Sequence, residues 1–440
     1  MHKQKILIIG EIFVDVHLDL EDKGENIVRL GGIFHAIRAC SAINVDYAFA
    51  YYAPSYLVQD INQYSLKLNS LGAYQLGLID KSPNVMLIHS SDESGYQGYN
   101  NILSKQAEYK TINDIDDIIN KVNPSDIVLF PGRYNAKKIL EVLKTYGGKI
   151  HIDLNYDSES IFDGLNISVT TAILSTSYID LFQKKDYVNL IDMFRNKHVD
   201  KVIIKENKGG AWCYNFNDNK ISQAPAYLEK VMHSVGVGDV YDIIFTLNIF
   251  TDNISAKMRF AALCSVAYAR TMDFDIFKEN VDILVKESDN FISLTGVRVP
   301  WFERRNINIY IAAPDFQDVN VEKLNLLVDS LNYHNFMTRL PIRENGLYSD
   351  GMPINEELEL YYKDIELLNE CNILIGVLLY SDQGTLTEIG MFYEMGKPVI
   401  IYDPYRLVNN MFLRNSCQYY CNTISDTVNA VFLCSNKKGD

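Results

Sequence analysis

Short apolar runs alternate with longer amphipathic stretches along most of the chain. The runs have the length and β-branched content of buried strands; they span residues 5–10, 126–132, 149–155, 172–175 and 201–206. Segments between them, such as 135–147, place apolar residues at helical spacing and end in glycine. The alternation predicts an α/β fold class, with parallel sheets covered by helices on both faces. Between residues 11 and 110 the pattern is less regular and Tyr-rich, so strands there are poorly predicted.

A second start of the same pattern lies near residue 306. The apolar segment 306–314 is followed by a loop and by the helix-like segment 321–334. The stretch just before it combines Pro, Gly, Trp and a charge cluster, which is typical of a linker. We therefore predict two three-layer αβα domains over residues 1–297 and 306–440, joined by a linker at 298–305.

Charge changes this picture by excluding one class of partner. The 440 residues include 41 basic and 56 acidic ones, for a net charge of −15, and residues 306–440 alone hold 18 acidic and 9 basic residues. A general nucleic-acid surface needs an excess of Lys and Arg, so nucleic acid is not an expected partner. Small phosphorylated ligands remain possible.

Apolar runs and cysteines limit the compartment. No apolar run approaches the length of about 18 residues that a membrane span needs, and residues 1–10 pass from two lysines into a strand-like run without a cleavage site. The seven cysteines are an odd number and lack metal-ligand spacing. We expect a cytoplasmic protein with reduced thiols, no membrane partner and no metal held by the cysteines.

The first candidate for chemistry is the small-residue loop before an apolar helix at residues 233–250. Gly236 and Gly238 let the backbone approach a ligand, and the helix N-terminus after them favours an anion such as phosphate. Asp239 can accept a proton from a substrate hydroxyl that attacks a γ-phosphate. A glycine-rich turn in which Asp caps the helix explains the same residues without any chemistry.

The order of five features over residues 1–295 resembles the PfkB or ribokinase-like family of carbohydrate and nucleoside kinases. The quoted segments are 10–20, 29–40, 151–157, 205–212 and 236–239. The resemblance implies a ribokinase-like fold that binds ATP and Mg²⁺, with Asp239 as catalytic base. It assigns the sugar site to Asp15, Gly31 and Gly32, and nucleotide binding to Asn207, Gly210, Gly236, Val237 and Gly238.

The chain departs from that family around the base. Ala36 stands where the family usually has Asn, and Lys205 and Asn207 replace the Thr and first Gly of the nucleotide loop. Residues 233–235 are His-Ser-Val in place of Asp-Thr-Thr, and residues 177–180 replace the Asn-x-x-Glu that orders magnesium waters. Two interpretations stay open: a working phosphotransferase, or a binding domain that has lost or changed the chemistry.

The second candidate for chemistry lies in residues 372–404. The pattern predicts a strand at 373–379, a loop at 381–385, a helix at about 386–395 and a strand at 398–403, which places the loop at the carboxyl edge of a parallel sheet. Asp382 and Glu388 can then face one cleft. The helix dipole favours an ionised Glu388, and such a carboxylate can attack an anomeric carbon. A capped surface helix with ordinary acidic residues is the alternative.

Residues 308–316, 373–377 and 382–400 resemble the nucleoside 2-deoxyribosyltransferase family, which has a flavodoxin- or Rossmann-like fold and uses no cofactor. The resemblance implies that Glu388 is the nucleophile and forms a glycosyl-enzyme ester, while Asp382 lies in the sugar site. It places Tyr310 and Ala312 beside the substrate, and Gly384 and Thr385 belong to the same motif.

Asn372 stands where this family usually has an Asp that contacts the leaving base. An amide cannot carry a proton to the base, so base choice or the balance between transfer and hydrolysis can differ. Thr385 and Thr387 at the helix start suggest binding of a 5′-phosphate, which would make nucleoside monophosphates the substrate.

Other polar residues are assigned simpler roles. Glu356, Glu357, Glu359, Asp364 and Glu366 are predicted to form a solvated helix face. The histidines are expected to be structural or to contact ligand rather than metal; they include His17, His35, His151 and His233. Tyr310 is expected to stack near a base.

Two hypotheses follow. In the first, the C-terminal domain cleaves or exchanges the N-glycosidic bond of a (deoxy)nucleoside or nucleotide, and the N-terminal domain phosphorylates or binds a sugar or nucleoside. In the second, the kinase-like domain senses a nucleotide without turnover and gates the glycosidase, for instance in stress or phage defence. Because both families commonly form oligomers, we expect at least a homodimer.

Overall fold

A computed structural model of the chain describes residues 4–18, 26–89, 99–154, 161–162, 164–178, 186–249 and 253–436. Contacts within the chain divide it into two compact units, with the boundary between Gly296 and Val297. The two-part α/β architecture expected from the alternation of apolar runs is confirmed. No helix in these ranges is long and apolar enough to cross a membrane.

The main sheet of the first unit is parallel at its centre. Its strands, together with those of a smaller sheet, are β1 (Lys5–Glu11), β2 (Val14–His17), β3 (Ile27–Leu30), β4 (Asp46–Ala53), β5 (Ala73–Asp80), β6 (Val85–Ile88), β7 (Tyr99–Asn101), β8 (Glu108–Thr111), β9 (Asp126–Leu129), β10 (Lys149–Asp153), β11 (Val169–Ser175), β12 (Val199–Lys205), β13 (Ala211–Asn215) and β14 (Lys220–Ala224). Among the described residues, ten strands run in the order β14-β13-β12-β11-β10-β9-β1-β4-β5-β8, with antiparallel pairs only at the two edges.

The smaller sheet has the order β3-β2-β6-β7 and places functional candidates side by side. Asp15 on β2 lies directly opposite Arg29 on β3. Because side chains alternate along a strand, His17 shares the face of Asp15. Its strands are shorter and more exposed than β1, which explains why their sequence pattern is weak.

Helices cover the main sheet because its central strands are apolar on both faces; Ile6 to Ile9 of β1 are fully buried. The helices of this unit are α1 (Phe34–Ile43), α2 (Val58–Lys67), α3 (Ile115–Val122), α4 (Ala136–Leu143), α5 (Tyr187–Arg195), α6 (Val237–Thr246), α7 (Ile254–Ala269), α8 (Phe274–Lys286) and α9 (Ser288–Ile292), with 3-10 turns at Ser55–Leu57, Ser104–Gln106 and Asn207–Gly209. Helices α1, α6, α7 and α8 share one core with the sheet, which fixes the start of α6 over its carboxyl edge.

The second unit is a five-stranded parallel sheet in the order β16-β15-β17-β18-β19. Its elements are β15 (Asn308–Ala312), β16 (Met337–Arg339), β17 (Ile373–Val377), β18 (Val399–Tyr402), β19 (Tyr419–Cys421), α10 (Trp301–Arg304), α11 (Glu322–Tyr333), α12 (Pro341–Asn345), α13 (Ile354–Glu370), α14 (Gln383–Glu394), α15 (Met411–Asn415) and α16 (Ile424–Ser435). A Cβ on Gly376 of β17 would lie 2.4 Å from Ile389 Cδ1, so this glycine lets α14 pack closely on the sheet.

The predicted linker at 298–305 is folded into the second unit. It holds helix α10, in which Trp301 and Arg304 are buried. The Arg304 guanidinium donates to the carbonyl oxygens of Val299 and His334 and lies over the Trp301 ring. The Trp and the Arg that suggest a linker by composition are therefore packed inside the second unit rather than exposed.

Candidate functional sites

Glu388 is joined to strand β15 of the second unit by one short hydrogen bond. Tyr310 on β15 is fully buried, and its Oη donates to Glu388 Oε1 at 2.6 Å. Helix α14 lies over β15 and β17, so a half-buried Glu388 in its second turn reaches down to the strand. The bond fixes one carboxylate oxygen and leaves the other for a ligand.

Burial and two neighbouring carboxylates change the pKa of Glu388. Burial raises its pKa to about 7, the charges of Asp364 and Asp382 raise it as well, and the Tyr310 hydrogen bond works in the opposite direction. Burial and the Glu388 charge also raise the pKa of Tyr310, so the phenol stays protonated and remains a donor. A carboxylate with a pKa near neutrality can act as nucleophile in its ionised form.

Asp382 is the N-cap of α14. Its Oδ2 accepts a hydrogen bond from the backbone N–H of Thr385 at 2.7 Å, which fixes the start of the helix. Gly384 lies exposed beside it, and the buried Thr385 hydroxyl has no hydrogen-bond partner in the described chain. Ala312 ends β15 at this same carboxyl edge. The structure thus brings Asp382, Thr385 and Glu388 onto one helix start.

Asn372 lies at the other end of the sheet. It precedes β17, its Oδ1 accepts from Asn308 N at 2.8 Å, and its own N–H donates to Asn308 O at 2.8 Å. These bonds close the amino end of the β15–β17 pair, whereas the site lies at the carboxyl end. The structure does not bring Asn372 to the proposed base position.

Asp364 is the acidic residue that sequence reasoning misplaced. It is half-buried on α13, accepts a hydrogen bond from Asn345 Nδ2 at 2.8 Å, and raises the pKa of Glu388 through its charge. Burial raises the pKa of Asp364 itself. A signal was present in the sequence, because Asp364 stands three and four residues before the buried Leu367 and Leu368 and so shares their helix face.

In the first unit, Asp15 is held by a neutral histidine. Asp15 Oδ2 lies 3.0 Å from His35 Nε2, and His35 Nδ1 lies 2.7 Å from Tyr268 Oη. Burial lowers the pKa of His35 to about 4. Burial alone would raise the pKa of Asp15, but the His35 contact and nearby positive charge outweigh it and lower that pKa. A Cβ on Gly31 would lie 2.1 Å from Asp15 Oδ1, so this position requires glycine.

The glycine turn before α6 packs against the same histidine. Gly236 has φ of +78°, and a Cβ there would lie 2.0 Å from His35 Cγ. Gly32 also adopts a positive φ. Asp239 stands in the first turn of α6, as predicted, and burial followed by the Asp153 charge raises its pKa to about 8. The turn and the sugar-site candidate Asp15 therefore come together.

Lys205 fills the space among three acidic side chains. Carboxylate oxygens of Asp153, Asp239 and Asp242 lie within 4.8 Å of one another. Lys205 Nζ contacts Asp242 at 2.7 Å, Asp153 at 3.9 Å and the Gly238 carbonyl at 3.4 Å. The acids outweigh burial and keep the pKa of this lysine raised. Because the Lys205 ammonium group occupies the space among these carboxyl groups, a Mg²⁺ ion could bind there only by displacing it.

The nucleotide-loop candidates form a tight turn between β12 and β13. Asn207 and Gly210 both have positive φ, and Ser177 Oγ donates to Asn207 Oδ1 at 3.3 Å. Val237 begins α6, where its carbonyl accepts from Ser265 Oγ. Residues 155–157 and 179–180, which belong to segments compared above with the kinase family, lie outside the described residues.

Comparisons with known proteins find one similarity to a family model and another to solved structures. The family model for nucleoside 2-deoxyribosyltransferase matches residues 309–418. A ribokinase from Giardia lamblia has a TM-score of 0.50 at 12% identity, over 65% of this chain and 100% of that chain. A fructokinase from Xylella fastidiosa with bound ATP gives 0.48 at 12% identity, covering 65% and 99%. A ribokinase from Arabidopsis thaliana with ribose and ATP gives 0.46 at 13%, covering 64% and 99%.

No curated protein sequence matched the chain. At 12% identity the ribokinase likeness establishes the fold alone, whereas the second match is to a family model. Both resemblances identified from sequence motifs are confirmed at that level. The chain joins a domain of ribokinase-like fold to a nucleoside 2-deoxyribosyltransferase domain.

Proposed function

We propose that the second domain breaks the N-glycosidic bond of a (deoxy)nucleoside or a nucleoside 5′-monophosphate, with Glu388 as nucleophile. The observation that carries the proposal is the 2.6 Å hydrogen bond from Tyr310 to Glu388 at the carboxyl edge of the sheet. It orients a carboxylate whose pKa of about 7 allows both a populated anion and reversible ester formation.

The first step forms an ester. One oxygen of ionised Glu388 attacks C1′ of the sugar, the C1′–N bond breaks, and its electron pair leaves with the base, which takes up a proton. In the second step water or the nitrogen of another base attacks C1′, the ester C–O bond breaks, and the Glu388 carboxylate is regenerated. Water as acceptor gives hydrolysis, and a second base gives transfer.

Asp364 is the proposed acid for the leaving base. It is the carboxyl group that combines partial burial, a raised pKa and electrostatic contact with Glu388. The raised pKa of Asp364 favours its protonated form, which donates to the departing nitrogen, and the carboxylate that results takes the proton of the attacking group. Asp382, fixed by its capping bond, keeps a second oxygen for a sugar hydroxyl.

Product analysis with a nucleoside and nucleotide panel tests this proposal. Wild-type chain should release or exchange a base, and Glu388→Gln should lower the rate by at least ~100-fold. Glu394→Gln, an exposed carboxylate on the same helix, is the matched control and should retain the wild-type rate. Equal rates in wild type and Glu388→Gln, or no base release at all, would refute the nucleophile assignment.

The same panel tests the phosphate preference. The buried, unpartnered Thr385 hydroxyl at the start of α14 supports binding of a 5′-phosphate there. Thr385→Val should then weaken use of nucleoside monophosphates and leave free nucleosides unchanged. An equal effect on both would assign Thr385 a packing role.

A second candidate function concerns the first domain, which we propose to bind a nucleotide without phosphoryl transfer and to gate the glycosidase. The contact of Lys205 with Asp242 favours it, because a buried ammonium group replaces the metal and Asp239 is mostly protonated at neutral pH. The assay is ADP formation from Mg-ATP with sugars and nucleosides. ATP binding without ADP formation supports it, whereas acceptor-dependent ADP formation lost in Asp239→Asn establishes a kinase.

A further inference from the structure

The short helix α12 carries one side chain that reaches the Glu388 site through Asp364. Asn345, the last residue of α12, is half-buried, whereas its neighbours Glu344 and Gly346 are exposed. Asn345 Nδ2 donates to Asp364 Oδ1 at 2.8 Å, so the amide joins α12 to α13. Helix α12 also packs on α13 and on β15. The contact of Asn345 is therefore made to the carboxyl group to which we assign the acid role.

Two arginines hold α12 in place. Arg339, the last residue of β16, donates from Nη2 to Glu344 Oε2 at 2.8 Å and from Nε to Glu344 Oε1 at 3.0 Å. Arg343 on α12 donates from Nε to Asp315 Oδ2 at 2.5 Å and from Nη2 to Asp315 Oδ1 at 3.2 Å. Paired contacts of this kind fix the orientation of the groups that they join. The last turn of α12 is thus held independently of its contact with α13.

The Asn345 side chain is not needed to end its own helix. The backbone N–H of Gly346 donates to the Ile342 carbonyl oxygen at 3.2 Å and closes the last turn. Gly346 has φ of +109°, so the chain leaves the helix through a conformation that glycine adopts easily. The amide of Asn345 is left to contact a group outside α12, and that group is Asp364.

The contact decides which oxygen of Asp364 carries the proton. An N–H that donates to Oδ1 favours the form in which Oδ1 is the carbonyl oxygen, because that oxygen is the better acceptor. The proton of the neutral acid then lies on Oδ2. The same hydrogen bond lowers the pKa of Asp364, against the larger effect of burial, which raises it. Asn345 thus influences both the position of the proton and the strength with which it is held.

We propose that Asn345 is a positioning residue, whose amide directs the proton-bearing Oδ2 of Asp364 toward the departing base. As the base leaves, it keeps the electron pair of the C1′–N bond and takes the proton from Oδ2. The Asn345 hydrogen bond persists and stabilises the carboxylate that results. The attacking water or base then returns a proton to Oδ2. This inference rests on the acid role proposed for Asp364, through which Asn345 acts.

A titration without substrate tests the positioning contact. In the full chain labelled with ¹³C at the aspartate carboxyl carbons, NMR follows the Asp364 signal with pH, and its loss in Asp364→Asn assigns it. Asn345→Leu keeps the approximate volume of the side chain and removes the donor, so the pKa of Asp364 should rise by about one pH unit. Asn355→Leu, an exposed asparagine on α13, is the matched control and should leave the midpoint unchanged. An Asn345→Leu midpoint equal to that of wild type would overturn the inference.

The leaving group separates positioning from folding. Asn345→Leu should lower the rate of release of an ordinary base by about tenfold, the range for a hydrogen bond to a charged group. Cleavage of a nitrophenyl riboside, whose leaving group needs no proton, should stay close to the wild-type rate, and Asn355→Leu should match wild type on both substrates. An equal loss on both substrates would make Asn345 a structural residue and would also overturn the inference.

A double variant tests whether Asn345 acts through Asp364. Asn345→Leu combined with Asp364→Asn should be no slower than Asp364→Asn alone, since both changes affect the same acid. A further fall would place the effect of Asn345 elsewhere. If the wild-type chain releases no base, the function proposed for Glu388 fails, whereas the NMR titration still decides whether Asn345 controls the proton of Asp364.

Discussion

At the scale of single residues, the phenol of Tyr310 opposes the effect of burial on the pKa of Glu388. Its hydrogen bond stabilises the carboxylate, so Tyr310→Phe should raise the pKa of Glu388 above about 7. The single-turnover rate of base release should then rise with pH through a midpoint that lies roughly one pH unit higher than in wild type. The measurement is the pH–rate profile of the two chains between acid and alkaline conditions.

The phenylalanine keeps the ring and its packing, so a loss at neutral pH that recovers in alkali reports protonation alone. Asp382→Asn gives the opposite sign, because removing its negative charge lowers the pKa of Glu388. Superimposable profiles for wild type and Tyr310→Phe would show that the 2.6 Å contact does not lower the pKa of Glu388.

A second prediction at the scale of single residues concerns the acid role proposed for Asp364. Asp364→Asn removes the proposed acid, so release of an ordinary base should fall by about 100-fold or more. A nitrophenyl riboside, whose leaving group needs no proton, should be cleaved at close to the wild-type rate. The exposed Glu366→Gln, two residues along the same helix, should behave as wild type for both substrates. A loss of equal size on the nitrophenyl substrate would contradict the acid role.

At the scale of elements, sequence patterns predicted the buried strands and the capped helix of the second candidate site. Strands such as β1 and β17 are apolar on both faces, and the helix that holds Glu388 starts at a capping Asp, so both follow from composition and spacing. The small sheet was missed because its strands are short and partly exposed, as Val28 is at 63%. The position of Asn372 at the amino end of β17 and the proximity of Asp364 to Glu388 were not predicted, because linear spacing does not say which end of a strand meets which face of a helix.

A prediction about stability concerns the ion pair that joins β12 to α6. Lys205 and Asp242 form a buried pair, with 10% and 0% of their side chains exposed. Lys205→Met leaves Asp242 without its partner and should lower the free energy of unfolding by about 3 kcal/mol. The double change Lys205→Met with Asp242→Leu should recover most of that loss, since it removes both charges.

Chemical denaturation followed by tryptophan fluorescence measures the free energy of unfolding of the first domain. The chain has two tryptophans, of which Trp212 lies on β13 and Trp301 on α10, so Trp301→Phe leaves a reporter in the first domain alone. An exposed pair serves as the control: Lys81→Met, which breaks the contact with Glu108, should change stability by less than about 1 kcal/mol. A double variant no more stable than Lys205→Met would show that packing, not charge, sets the effect.

At the scale of the whole molecule, a net charge of −15 is compatible with the anionic ligands proposed for the two domains, because local groups can bind them. The first offers the start of α6 with Gly236 and Gly238, and the second offers the start of α14 with Thr385. Neither group of residues requires a basic surface, so a negative net charge is compatible with single nucleotides as the proposed ligands.

The two candidate roles of the first domain, kinase and gate, differ in whether its site is coupled to the site of the second domain. A kinase that works beside the glycosidase needs no coupling between sites, whereas a gate requires a coupling free energy that acts equally in both directions. If ATP alters the affinity for a nucleoside monophosphate by some factor, the nucleoside monophosphate must alter the affinity for ATP by the same factor. Glu388→Gln makes this measurable at equilibrium, because it should bind a nucleoside monophosphate without cleaving it. The gate predicts that ATP affinity in this variant changes by about fivefold or more on saturation with nucleoside monophosphate, and identical ATP affinities would leave the domains independent.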